Sequence, residues 1–146
     1  MINGVITLTR SRRFRSVDFN INGVLVSAMM IGKTYSGLIA VKDSLGVLDS
    51  DEAKELIEHW DKVTNLIIRV TGSNFYTFSG PFQANDDAIR FNVYFDVFKN
   101  IEVSITPNYL QLTLPDSRRK FRSKGELLSR LIKSTLSILS RYTEAH

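Results

Sequence analysis

The sequence predicts an α+β fold on antiparallel β-sheet, ordered strands, helix, strands, helix, with a long C-terminal helix. Three observations carry this. Residues 88–98 alternate apolar and polar side chains with the two-residue period of a half-buried strand. Residues 49–63 and about 124–142 repeat apolar side chains at three-and-four spacing. The strands come in groups, not singly between helices, which argues against a parallel doubly wound sheet. No linker or low-complexity stretch divides the chain, so one compact domain is expected, with two pseudo-repeats of about 1–63 and 64–146.

The first strand spans 4–10, where Val5, Ile6, Thr7 and Thr9 are β-branched. A basic stretch follows, then VDFNI and VLVSAMMI on either side of Asn22-Gly23. That dipeptide signals a hairpin, because both residues tolerate the positive φ of a type I′ turn. A two-residue turn pairs Ile21 with Val24, Phe19 with Val26 and Val17 with Ala28, which makes one hairpin face apolar. A strand over 36–41 follows Gly32.

Helix 49–63 opens on Asp49 with Glu52 three residues on, a capping box whose acids suit the positive end of the helix. Ala53, Leu56, Ile57, Trp60 and Val63 share a face, and Trp60 in this stripe reads as core. LIIRV at 66–70 and FYTF at 75–78 read as strands, and 72–87 as a loop around Phe82 able to fold over a groove. In 88–98, Ile89, Phe91, Val93, Phe95 and Val97 face inward, while Arg90, Asn92, Tyr94 and Asp96 face outward. Turns at Lys99-Asn100 and Pro107-Asn108 lead to inward Ile101, Val103 and Ile105, then Leu110, Leu112 and Leu114. Ser123 and Glu126 form a second capping box for the last helix. Its stripe of Leu128, Leu131, Thr135, Ile138 and Tyr142 is widened by Leu127, Ile132, Leu136 and Leu139. That exceeds a narrow seam against one sheet, so part of it is expected to join another copy in a homo-oligomer.

Composition narrows the function. A hydrophobic fraction of 43% with 23% charge excludes a disordered chain. No apolar run approaches the roughly 18–20 residues of a membrane helix, so no membrane association is expected. Neither a secretory signal nor any cysteine is present, which excludes disulfides and thiolate metal sites and fits an intracellular location. The net charge of +4 is segregated. Arg10, Arg12, Arg13 and Arg15 cluster in SRRFRS, and Arg118, Arg119, Lys120, Arg122 and Lys124 in and after SRRKFRS. Acids concentrate over 43–62. Clustered cations are the footprint of a protein that meets a polyanion.

Catalytic chemistry is thinly supplied. His59 sits in the acidic helix away from the apolar stripe, and His146 is terminal, so no metal cluster or cofactor is expected. Asp86-Asp87 read as a turn and Glu102 as part of an outer-face charge group with Arg90 and Asp96. GKT at 32–34 lacks the upstream glycine spacing and following helix of a phosphate loop. An enzyme is not expected.

Binding is better supplied. Single-stranded nucleic acid needs flat rings for its bases and flexible cations for its phosphates. Eight of the fifteen aromatic residues lie between 75 and 98, and whichever face of FYTF is buried leaves a ring available. Tyr76, Tyr94 and Tyr109 are the candidate stacking rings, with Arg90 beside them and Phe14 and Phe121 inside the two basic clusters. The first cluster is expected to project from a loop between strands. The second precedes the last helix, whose N-terminal N–H groups favour an anion.

An order of four strands and a helix is read twice along the chain, and SRRFRSVDFNINGVLV followed by LIEHW is similar to a repeat of the Pur-alpha family. The plan resembles that of the Pur-alpha and Whirly families and of coactivators of the positive-cofactor-four type. The lysine- and glycine-rich Whirly signature is absent, and the second half carries a fifth strand. The resemblance implies curved antiparallel sheets that bind single-stranded DNA or RNA, and helices that hold oligomers together. The leading expectation is therefore a nonenzymatic single-stranded nucleic-acid-binding protein. The alternative is a structural or adaptor subunit, of viral or phage type, that joins partners through its last helix and a sheet edge.

Overall fold

Among the described residues the chain forms ten strands, most of them with period-two alternation between short turns, and two helices with three-and-four spacing. The computed structural model describes residues 1–72, 77–96 and 99–143, with the backbone alone at 95, 96 and 99. The strands are β1 (Ile2–Arg10), β2 (Phe14–Ile21), β3 (Val24–Ile31), β4 (Thr34–Val41) and β5 (Ser44–Leu48). After helix α1 (Ser50–Thr71) come β6 (Thr77–Ala84), β7 (Ile89–Asp96), β8 (Lys99–Ile105), β9 (Tyr109–Thr113), β10 (Arg118–Arg122) and helix α2 (Leu127–Thr143). All ten strands form one antiparallel sheet in the order β10-β9-β8-β7-β6-β1-β2-β3-β4-β5. The fold is α+β, as the grouping of strands predicts.

Each half is a five-strand meander followed by a helix, and β1 and β6 pair at the centre with Ile6 opposite Gly80. The hairpin at Asn22-Gly23 has φ of 49° and 83° and the predicted register, Ile21 to Val24 through Val17 to Ala28. Inward side chains of the sheet and one face of each helix make the core. Phe19 lies edge-on to Trp60 at 5.6 Å and to Phe82 at 5.4 Å, and Trp60 lies 5.8 Å from Phe91. Burying each such side chain contributes about 1.5–3 kcal/mol. Trp60 Nε1 donates to Thr135 Oγ1 at 3.0 Å, while Arg141 grips Glu52 with two guanidinium hydrogen bonds. Pairing 60 with 135 and 52 with 141 makes the two helices antiparallel.

Several expectations are corrected. LIIRV at 66–70 is the last part of α1, with Ile67 fully buried, and not a strand. The half-boundary expected at 63/64 therefore falls inside the helix, which ends where Gly72 takes φ 68° and donates to Ile68 O. Much of the 72–87 loop is strand β6, where Phe78 and Phe82 are buried. Strand β5 was not anticipated, and the second basic cluster, expected just before the last helix, forms strand β10 from Arg118 to Arg122, with Lys124 between β10 and α2.

The two capping boxes also resolve differently. Asp49 caps α1 by accepting from Asp51 N at 2.8 Å, but Glu52 turns to Arg141. Arg130 N donates to Glu126 O, so α2 begins after Glu126, and Ser123 Oγ donates to Gly125 O at 3.2 Å and accepts from Leu128 N at a long 3.4 Å. The α2 stripe expected between copies is used inside the chain, since Leu131, Thr135 and Ile138 are buried and Leu128 and Tyr142 half-buried. The outward face of α2 carries Arg130, Lys133, Ser137 and Arg141. The expected rings Phe75 and Tyr76, the inward Phe95 and Val97, the Asp96 side chain and His146 lie outside what is described.

Candidate functional site

Strand alternation aims every second residue of the β6–β10 half away from the helices. Ladder pairing links these side chains into cross-strand rows. One runs Gln83, Arg90, Ser104, Gln111 and Lys120 over five strands, and a second runs Asn92, Glu102, Thr113 and Arg118 over four. Tyr109 follows beside Arg122, and exposed Tyr94 stands on the same face at the other end of the strands. Tyr94 pairs with Asn100, and Tyr109 lies beyond the Ile105–Leu110 pair, so roughly 20 Å of strand separates the two rings.

A shallow concavity of about 510 Å³ lies over this surface, floored by Gln83, Arg90, Asn92, Ser104 and Gln111 and flanked by Glu102 and Tyr109. Lys120 Nζ sits 4.3 Å from the Tyr109 ring centroid, a cation–π contact worth about 0.5–1 kcal/mol at an exposed site. Asn92 Oδ1 is buried without a hydrogen-bond partner, an unmet acceptor in the floor. The surface thus offers two rings, four cations (Arg90, Arg118, Lys120 and Arg122) and several amides on one uncovered face. It joins three predicted groups, namely Tyr94, Tyr109 with Arg90, and three of the five cations of the second cluster. Gln83, Asn92, Ser104 and Gln111 were missed, because polar residues on an outer strand face carry no signal until pairing lines them up.

The other predicted residues go elsewhere. In β10, Arg119 opposes Leu112 and Phe121 opposes Leu110, which places both on the helix side, with Phe121 packed against the core. In the first cluster Arg15 is half-buried in β2 and pairs with Asp61 of α1 at 3.2 Å, so it does not project from a loop. Arg10, Arg12 and Arg15 line a depression with Ile68 of α1. Phe14 opposes Ile31, and Arg13 is exposed in the turn.

The tail of the second cluster forms one wall of a different cavity, of about 500 Å³, between α1, β9, β10 and α2. Its floor is Val63, Leu66, Leu110, Leu127, Leu128 and Leu131, and Lys62, Arg69, Arg122 and Lys124 stand around it. His59 also lines it; burial lowers the imidazole pKa, and Nδ1 is buried without a partner. Leu66 and Ile68 lie about 200° apart around α1, so the two basic clusters flank opposite sides of that helix and do not border one groove. Lys62 and Arg69 were missed as site residues; their spacing of seven, two helical turns, is the sequence signal that they share a face.

The lesser candidates have structural roles. Asn85 Oδ1 accepts from Asp87 N and Ala88 N, so the Asp86-Asp87 pair sits in an Asn-capped turn. Gly32 has φ 63° in the turn joining β3 and β4. Among the described residues, no helix is long and apolar enough to cross a membrane. No family model, no curated protein and no solved structure matches the chain.

Proposed function

We propose that the chain binds single-stranded DNA or RNA, without catalysis, on the uncovered face of β6–β10. One observation supports this above others: Tyr94 and Tyr109 share that face with Arg90, Arg118, Lys120 and Arg122. Exposed rings accept any base by stacking, and cations at the sheet edge meet the phosphates. Glu102 stands within the same rows and favours a path along their β10 end. This reading keeps the resemblance to the Pur-alpha and Whirly plan as a working hypothesis. With four phosphates neutralised, log K falls by about 2.8 per tenfold rise in salt, or roughly 50-fold in affinity between 50 and 200 mM. Fluorescence anisotropy with labelled oligonucleotides at both salts tests it, and no binding at micromolar protein in the low-salt buffer overturns it.

A second reading, an adaptor that joins a second copy or another protein, is favoured by β5. This edge strand exposes Leu45 at 77% and Val47 at 82%, and its partner strand β4 adds Leu38 and Ala40 to the same face. An apolar edge without lysine, proline or a bulge invites another strand. Light scattering on Val47→Lys separates the readings. A fall in mass supports self-association through β5, and an unchanged monomer mass removes it.

A further inference from the structure

The cavity between α1, β10 and α2 combines an apolar floor with a cationic rim. Its floor is aliphatic, and among the described residues every charged side chain that lines it is cationic: Lys62, Arg69, Lys120, Arg122 and Lys124, with no aspartate or glutamate. Its volume of about 500 Å³ falls in the range of small-molecule sites, roughly 300–1,000 Å³. We propose that this cavity binds an amphipathic anion with a linear alkyl body and a carboxylate head, the chemistry of a fatty acid. The floor of the site lies on the helix side of the sheet, and only the edge-strand cations Lys120 and Arg122 are shared with the face proposed for oligonucleotides.

Each part of the ligand follows from the wall it meets. A nucleobase wants a flat partner and a polar edge, whereas this floor is built from leucine and valine, with Phe121 and the His59 imidazole on its walls. An alkyl chain needs only apolar surface to displace water. The cations around it attract a negative head and oppose a positive one. Lys62 and Arg69 lie two turns apart on one side of α1, and neither has an acid partner among the ion pairs of the described residues. His59 adds an unpaired buried Nδ1 on the same wall.

The test uses the full chain and anilinonaphthalene sulfonate, an apolar anion that brightens when bound. One probe should bind per chain, and octanoate, decanoate and dodecanoate, each below its micellar concentration, should displace it with affinity rising about fourfold per methylene. Dodecyltrimethylammonium should not compete. Lys62→Glu with Arg69→Glu should weaken dodecanoate about tenfold or more at low salt. Leu66→Trp and, separately, Leu127→Trp fill the cavity from half-buried positions and should abolish displacement, while circular dichroism reports that either variant is folded. Absence of displacement by dodecanoate overturns the proposal, as does equal competition by the cationic amphiphile. Displacement by an oligonucleotide alone assigns the cavity to nucleic acid and overturns it too. A loss of oligomer mass in the filled variants assigns the cavity to a second copy, with the same consequence.

Discussion

The indole Nε1 of Trp60 donates a 3.0 Å hydrogen bond to Thr135 Oγ1, and both side chains are buried. This bond joins α1 to α2 across the core, with Phe19 and Phe91 packed on the indole ring. A buried donor left without its acceptor costs about 1–3 kcal/mol, while removing donor and acceptor together costs less than the sum. Thr135→Val should therefore destabilise the fold by about that amount in urea unfolding. Added to Trp60→Phe, it should cost clearly less than it does alone. Additivity within about 0.5 kcal/mol would mean the bond contributes nothing.

Strand β6 approaches β7 so closely at Gly80 that a Cβ there would lie 1.6 Å from Asn92 O and 2.7 Å from its carbonyl carbon. Both atoms are backbone and cannot step aside by a rotamer change. Gly80→Ala should cost about 3 kcal/mol or more, the upper end for overpacking, and shift the pairing of β6 with β7. Gly46 in β5 is the internal control, because its nearest atom to a Cβ is Ile39 O at 3.8 Å. Gly46→Ala should leave stability within about 0.5 kcal/mol. Thermal unfolding of the two variants side by side decides it, and equal melting temperatures would count against the close approach.

How far the sequence led depended on which force governs each segment. Where turn chemistry and period agreed, as in Phe19–Asn22-Gly23–Val26, even the register was legible. LIIRV misled because its β-branched residues favour strand locally, yet Ile67 continues the α1 stripe four residues after Val63, and burial overrides propensity. β10 was illegible for the opposite reason. An edge strand buries little, so RRKFR needs only Phe121 inward and shows no apolar alternation. The rows from Gln83 to Lys120 join residues distant in sequence, and only ladder pairing creates them. The α2 stripe was seen correctly but assigned a partner too many, since α1 and the sheet already cover it.

Burial lowers the His59 pKa; Glu55 and Glu58 oppose this, and Lys62 and Arg130 reinforce it. Between the ordinary value of 6.5 and the lower folded value, the unfolded chain binds more protons than the folded one. The contribution of neutral His59 is therefore present above pH 6.5 and is lost as pH falls through that window toward the folded pKa. Relative to His59→Gln, the natural chain should lose stability from pH 8 to pH 5, read as a falling difference in urea midpoint. Carboxylates common to both proteins cancel in that difference. A difference that grows on acidification would show that the surrounding acids dominate the burial.

Tyr94 and Tyr109 share a face but not a state, and this ranks their effects on nucleic-acid binding. Tyr94 is 56% exposed, whereas Tyr109 is half-buried with Lys120 Nζ over its ring. A base that stacks on Tyr109 must displace that ammonium, which costs about 0.5–1 kcal/mol unless a phosphate receives it. Tyr94→Ala should thus weaken an oligonucleotide by about 1–3 kcal/mol, and Tyr109→Ala by less. Charge follows the same map. Arg118→Ala removes a cation from the open face and should reduce the salt slope by about 0.7, the single-strand value per phosphate. Arg12→Ala should leave the slope unchanged, because Arg12 lies with Ile68 beside α1. Anisotropy titrations at four salt concentrations measure both quantities. The reverse result, a slope that answers to Arg12 and not to Arg118, would move the nucleic acid off the sheet and onto the flank of α1.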